Sequence, residues 1–91
     1  MTFDVQVEVS LRQGIADPAG ATIERSLPAL GFDGVEGVRM GKSIRFRIAA
    51  LDEAEARSRV DAMCERFLTN PVIEDSDVTI REAAEVGAAS R

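Results

Sequence analysis

FDVQVEVSLR, residues Phe3 to Arg12, alternates without a break, with Phe3, Val5, Val7, Val9 and Leu11 on one side and Asp4, Gln6, Glu8, Ser10 and Arg12 on the other. Successive side chains on a strand point to opposite faces, so this period of two specifies a strand with one buried and one wet face. A buried face needs a covering layer.

The chain that follows supplies two helices. Gly14 lies in a loop leading to Asp17-Pro18, where Asp caps a helix and Pro fits its first turn, because that amide has no helical partner. Ile23, Leu27 and Leu30 then mark one helical face. Pro28 removes an amide and crowds the carbonyl of Glu24, which predicts a kink or an early end before the stop at Gly31. Further on, Asp52 with Glu55 three residues later is a variant of the capping box and opens the second helix. Its predicted inner face is Ala56, Val60, Met63, Cys64 and Phe67, and Asn70-Pro71 ends it, with Asn suited to a left-handed terminus.

Two alternating runs, Val38 with Met40 and then Ile44, Phe46 and Ile48, flank Gly41-Lys42 and read as a β-hairpin. A last strand is predicted from Val72 to Arg81. The order is therefore βαββαβ, an α+β, ferredoxin-like plan with a four-stranded antiparallel sheet and two helices on one face. Residues 1–82 read as a single domain, and the Ala-rich residues 83–91 as a tail expected to fray. Such a sheet leaves one face and two edges open, which favours self-association of a 91-residue chain with a small core.

Composition excludes several function classes. Sixteen acidic residues against eleven basic ones give a net charge of −5, which repels nucleic acid, and Tyr and Trp are absent. With no histidine and one cysteine, the chain lacks the commonest general base and zinc ligand, every Cys-His or Ser-His pair, and any disulfide of its own. Cys64 sits on the apolar stripe of the second helix and reads as a small core residue. Asp4, Glu8 and Arg12 interrupt the N-terminal stretch, which is expected to be neither a signal peptide nor a membrane span, and the chain is expected to be cytoplasmic.

Three further motifs carry bland readings. The acidic cluster Glu74, Asp75, Asp77 lacks the glycine and spacing of a calcium loop and reads as a solvated edge or a partner contact. Gly37, Gly41 and Lys42 lack a Walker pattern and read as turn residues. Arg39, Lys42, Arg45 and Arg47 form a basic stretch, and alternation puts its arginines on the face away from the core. Two readings of it stand: a solvated face, or a contact for an acidic partner surface or a bound anion.

Asp17-Pro18-Ala19-Gly20, Leu30-Gly31-Phe32, Val35, Val38-Arg39-Met40-Gly41-Lys42, Met63-Cys64-Glu65 and Asn70-Pro71-Val72-Ile73-Glu74-Asp75, in that order and spacing, resemble the signature of the PurS family over nearly the whole chain. Pro28 and the tail after Arg81 depart from it. The resemblance implies the small bridging subunit of the bacterial formylglycinamide ribonucleotide amidotransferase (phosphoribosylformylglycinamidine synthase), an ATP- and glutamine-dependent C–N ligase of purine biosynthesis. In that assembly a glutaminase subunit releases ammonia and a large synthetase subunit, using ATP and magnesium, installs it. The small subunit forms a dimer or a pair of dimers, links the other two and supports ammonia transfer. It is expected to bind no cofactor or metal and to run no catalysis alone, and neither nucleic acid nor membrane is expected as a partner. The candidates for partner contact are Arg39, Lys42, Arg45, Arg47, Asn70 and Glu74. A competing reading is a stand-alone ferredoxin-like regulatory module that binds a small ligand at a dimer interface, and it requires a pocket that no motif marks.

Overall fold

The alternating stretch becomes the middle of the sheet. In the computed structural model, which describes residues 1–83, strand β1 (Thr2–Leu11) pairs antiparallel with β2 (Gly41–Ala49) on one side and with β3 (Glu74–Glu82) on the other. The register sets Phe3 opposite Ile48, Val5 between Phe46 and Ile80, and Val7 between Ile44 and Val78, so the apolar halves of three strands share one face. Helix α2 (Glu53–Met63) covers that face through Ala56 and Val60, and Cys64 just beyond its end completes the cover. Val7, Ala56 and Val60 are fully buried at 0% exposure, and burying each valine contributes about 1.5–3 kcal/mol. The Asp52 carboxylate caps α2 by accepting from the Glu55 amide at 2.9 Å, and the Glu55 carboxylate accepts from the Leu51 amide.

The sheet has three strands, not the four of the ferredoxin-like plan, because the expected hairpin does not form. The amides that Val38 and Met40 would offer to a neighbouring strand are taken by carboxylates: Val38 donates to Glu24 Oε1 at 3.0 Å and Met40 to Asp17 Oδ2 at 2.8 Å. Gly41, read as a turn residue, opens β2 opposite Ser10, and a β-carbon there would lie 2.7 Å from the Val9 carbonyl oxygen. A close pass of two backbones, not a reversal, calls for the glycine.

The two helices are also not equivalent covers. Helix α1 (Pro18–Ser26) is capped by Asp17, whose carboxylate accepts from the Gly20 amide at 2.9 Å. It stops just before Pro28, which opens a short 3-10 turn (Pro28–Leu30) closed by Gly31 in the left-handed conformation. Pro28 thus ends the helix early, as its missing amide requires. No side chain of α1 belongs to the core, and Gly20 is its one buried residue. With residues 32–40 this segment forms an arm beside the sheet. The radius of gyration is 17.1 Å, against about 12 Å for a compact chain of this length.

A π-helical turn (Cys64–Leu68) follows α2 and corrects the predicted inner face. Its wider winding delays the register by one residue, so Leu68 packs on the core while Phe67 stands 85% exposed. The terminus is not left-handed at Asn70, since among the described residues every one with positive φ is a glycine. Instead the Asn70 side chain accepts from the Val72 amide at 3.1 Å, and its carbonyl accepts from the Ile73 and Glu74 amides. This turn uses up Val72 and Ile73, and β3 starts at Glu74 instead of Val72. The tail after Ala83 lies outside the described residues, and among those residues no helix is long and apolar enough to cross a membrane.

Candidate functional site

The polar sides of the three strands form an open face ordered in rows. Asp4 lies between Arg47 and Arg81, Gln6 between Arg45 and Thr79, Glu8 between Ser43 and Asp77, and Ser10 between Gly41 and Asp75. Arg47 Nε donates to Asp4 Oδ1 at 2.8 Å. Gln6 Nε2 bridges Glu8 at 2.7 Å and Ser43 at 3.2 Å. The Ser43 hydroxyl and the Gln6 amide, with Arg45 adding its charge, hold the Glu8 carboxyl below its ordinary range. A shallow cavity of about 770 Å³ opens over the first two rows, lined by Asp4, Gln6, Arg45, Arg47, Thr79 and Arg81 among others.

At the Leu11 end of the sheet, charges serve the fold. Asp17, with a side chain only 8% exposed, accepts from the Met40 and Gly20 amides and lies 3.9 Å from Arg39 Nε. Those two amide bonds, ahead of the Arg39 charge, hold its carboxyl below the usual aspartate range. Arg39 also donates to the Leu11 carbonyl at 3.2 Å. Lys42 Nζ sits 3.8 Å from Glu74 Oε2, while Glu74 Oε1 accepts from the Asn70 amide at 2.8 Å.

The arm supplies the third surface. Ile23, Leu30, Phe32, Val35 and Met40 are all exposed, Leu30 at 69% and Phe32 at 58%. Single exposed apolar residues are ordinary, but a run of them on one protruding segment marks a surface meant to be covered.

The structure therefore divides the six sequence candidates. Arg39, Lys42, Asn70 and Glu74 cluster at the Leu11 end and are engaged internally, while Arg45 and Arg47 stand on the open face as alternation predicted. Arg81, Gln6 and Thr79 were missed. Alternation shows which face each strand presents, but their shared rows arise from strand register, which no short-range signal encodes.

Fold and surfaces together define a small α+β association module, with one charged sheet face and one apolar arm. The chain belongs to the PurS family: the family model described as phosphoribosylformylglycinamidine (FGAM) synthase matches residues 4–82. Among its relatives, the phosphoribosylformylglycinamidine synthase subunit PurS of Methanothermobacter thermautotrophicus is 45% identical over 83 residues, covering 90% of this chain and 96% of that one. The same subunit of Synechocystis is 40% identical over 85 residues, covering 91% and 85%. Among solved structures, a chain of PurLQS from Thermotoga maritima superposes with a TM-score of 0.81 at 35% identity, covering 89% of this chain and 99% of that one.

Proposed function

We propose that this chain is the small subunit of a phosphoribosylformylglycinamidine synthase complex in purine biosynthesis, acting as a bridge between a glutaminase and a large synthetase and supporting ammonia transfer between them. The observation that carries this reading is the likeness, over nearly its whole length, to a chain of the PurLQS assembly of Thermotoga maritima. The exposed arm supports it physically, because apolar residues on a segment that adds nothing to the core gain their burial from another chain. In this reading residues 1–82 act as one domain in the cytoplasm and the arm is covered first by a second copy. ATP and magnesium belong to the synthetase, and catalysis to the partners. The contact residues we propose are Arg45 and Arg47 on the sheet face, and Arg39, Lys42, Asn70 and Glu74 at the Leu11 end, where side chains set the shape of the surface they share.

The test is capture from a native lysate on the tagged chain, followed by glutamine- and ammonia-dependent assays of what is recovered. Recovery of a glutaminase and an ATP-using synthetase, with glutamine-dependent activity lost when the chain is withdrawn, is the expected result. A lone oligomer that tightens on adding one metabolite would instead favour a regulatory module.

A further inference from the structure

Three arginines share one cavity of an acidic protein. Arg47 and Arg81 flank Asp4 across the central strand, and Arg45 stands one row on beside Gln6, with Thr79 on the other side. Strands about 4.8 Å apart, with same-face residues about 6.8 Å apart along each, seat all three on an area of roughly 10 by 7 Å. Their long stems let the guanidinium heads reach the space above Asp4 and Gln6. Together these side chains line the cavity of about 770 Å³, which is within the ordinary range for a small-molecule site.

The bonding within the chain leaves these heads available. Asp4 accepts from Arg47 through Nε alone, at 2.8 Å, and among the described residues neither Arg45 nor Arg81 is held in an ion pair or a side-chain hydrogen bond. Gln6 directs its amide nitrogen to Glu8 and Ser43, which leaves its carbonyl oxygen as an acceptor. Glu8 and Asp77, one row further on, do not line the cavity. Three guanidinium groups against the carboxylate of Asp4 therefore leave two positive charges uncompensated. A phosphate monoester carries about 1.5 to 2 negative charges at neutral pH, and its oxygens accept the paired N–H groups of an arginine fork. A single carboxylate would balance only half of that charge. A polyanion laid along the strands fits worse, because it runs on to Glu8 and Asp77. With no aromatic or aliphatic side chain on these two rows, the rest of the ligand is polar, and Gln6 and the Thr79 hydroxyl match the hydroxyls of a sugar.

We propose that this cavity binds a phosphorylated sugar, with Arg45, Arg47 and Arg81 on the phosphate and Gln6 and Thr79 on the hydroxyls. The inference goes beyond the bridging reading, adding a small-molecule ligand to residues which that reading gives only a protein contact, and it does not depend on the identity of any partner subunit.

The test is titration of the isotope-labelled full chain, followed by nuclear magnetic resonance at low ionic strength, with inorganic phosphate, ribose 5-phosphate and ribose as probes. Both phosphates should move the Gln6, Thr79 and Arg81 amide signals to saturation, and ribose alone should move none. Ribose 5-phosphate should bind about fivefold more tightly than inorganic phosphate, as one further net hydrogen bond implies. Arg45→Gln and Arg81→Gln should each weaken both phosphates by about tenfold, the effect of losing one hydrogen bond to a charged group. Thr79→Val should reduce the preference for the sugar phosphate and leave inorganic phosphate bound. Arg57→Gln makes the same change of charge on α2, which covers the opposite face of the sheet, and should leave every titration unchanged. Absence of saturable shifts, equal weakening by Arg57→Gln, or no preference for ribose 5-phosphate would overturn the proposal. So would arginine variants that lose capture of another protein while none of the probes moves these signals, which would assign the cavity to an acidic protein surface. Circular dichroism spectra and melting of the variants close to wild type establish that the charges, not the fold, were changed.

Discussion

Helices α1 and α2 begin alike and end in different places. Both are opened by an aspartate whose carboxylate accepts from the amide three residues on, Asp17 from Gly20 and Asp52 from Glu55. Yet α2 delivers Ala56 and Val60 into the core, and α1 delivers none of its side chains. Local capping sets where a helix begins; where its apolar residues go is decided by what surface they can reach. In α1 and the arm they face outward, which separates the residues that hold this chain folded from those that hold it to something else.

The largest expected effect sets one residue of each region side by side. Val60→Asp places a carboxylate in a dry site against the sheet, and its desolvation is comparable with the whole stability of a small domain. Loss of the far-ultraviolet circular dichroism signal is expected at 25 °C. Leu30→Ser in the arm should change folding stability by less than about 0.5 kcal/mol, while weakening self-association on the order of tenfold, as read by sedimentation. A Leu30→Ser chain that melts much earlier yet associates normally would erase the distinction.

A smaller contrast tests the π turn. Leu68→Ala should cost about 2 kcal/mol for a half-buried side chain packed on the core. Phe67→Ala should cost under about 0.5 kcal/mol in spite of its larger size. Urea denaturation of both variants is the measurement, and the reverse order would mean that the helix continues with α-helical winding through Phe67.

The smallest effect concerns pH. Because the folded carboxyl of Asp17 is held below its unfolded value, near the ordinary 3.9 or so, its contribution is present above that value and is lost as pH falls through the folded one. The Met40 and Gly20 amide resonances should move together below about pH 4, with a midpoint under that of an exposed aspartate. Asp17→Asn should abolish the transition. Resonances that titrate at the ordinary value would show that the arm is not tethered there.

What the sequence revealed follows the range of the forces involved. The phase of β1, both caps and the stop before Pro28 depend on neighbours a few residues away and were legible. The missing hairpin was not, because Val38 and Met40 are bound by Glu24 and Asp17, which lie far enough back in the chain to escape any local pattern. Phe67 misled because one extra residue of winding, invisible to periodicity, exchanges it for Leu68. On the sheet face, the outward direction of Arg45 and Arg47 was readable, but their assembly with Arg81 required the pairing of β1 with strands from both later parts of the chain.

That pairing bears on how the chain comes to fold. The central strand is made before both of its partners, which arrive far apart: Thr2 waits for Ala49 and Phe3 for Glu82. At about 5–20 residues per second, a ribosome leaves β1 without its second neighbour for several seconds. Contacts this distant in sequence also make for slow folding, in the millisecond-to-second range, once the chain is free. During that interval Val5, Val7 and Val9 form an open, strongly β-prone strand. Asp4 and Glu8, interleaved with those valines, put like charges on the strand, which disfavours its pairing with another copy of itself.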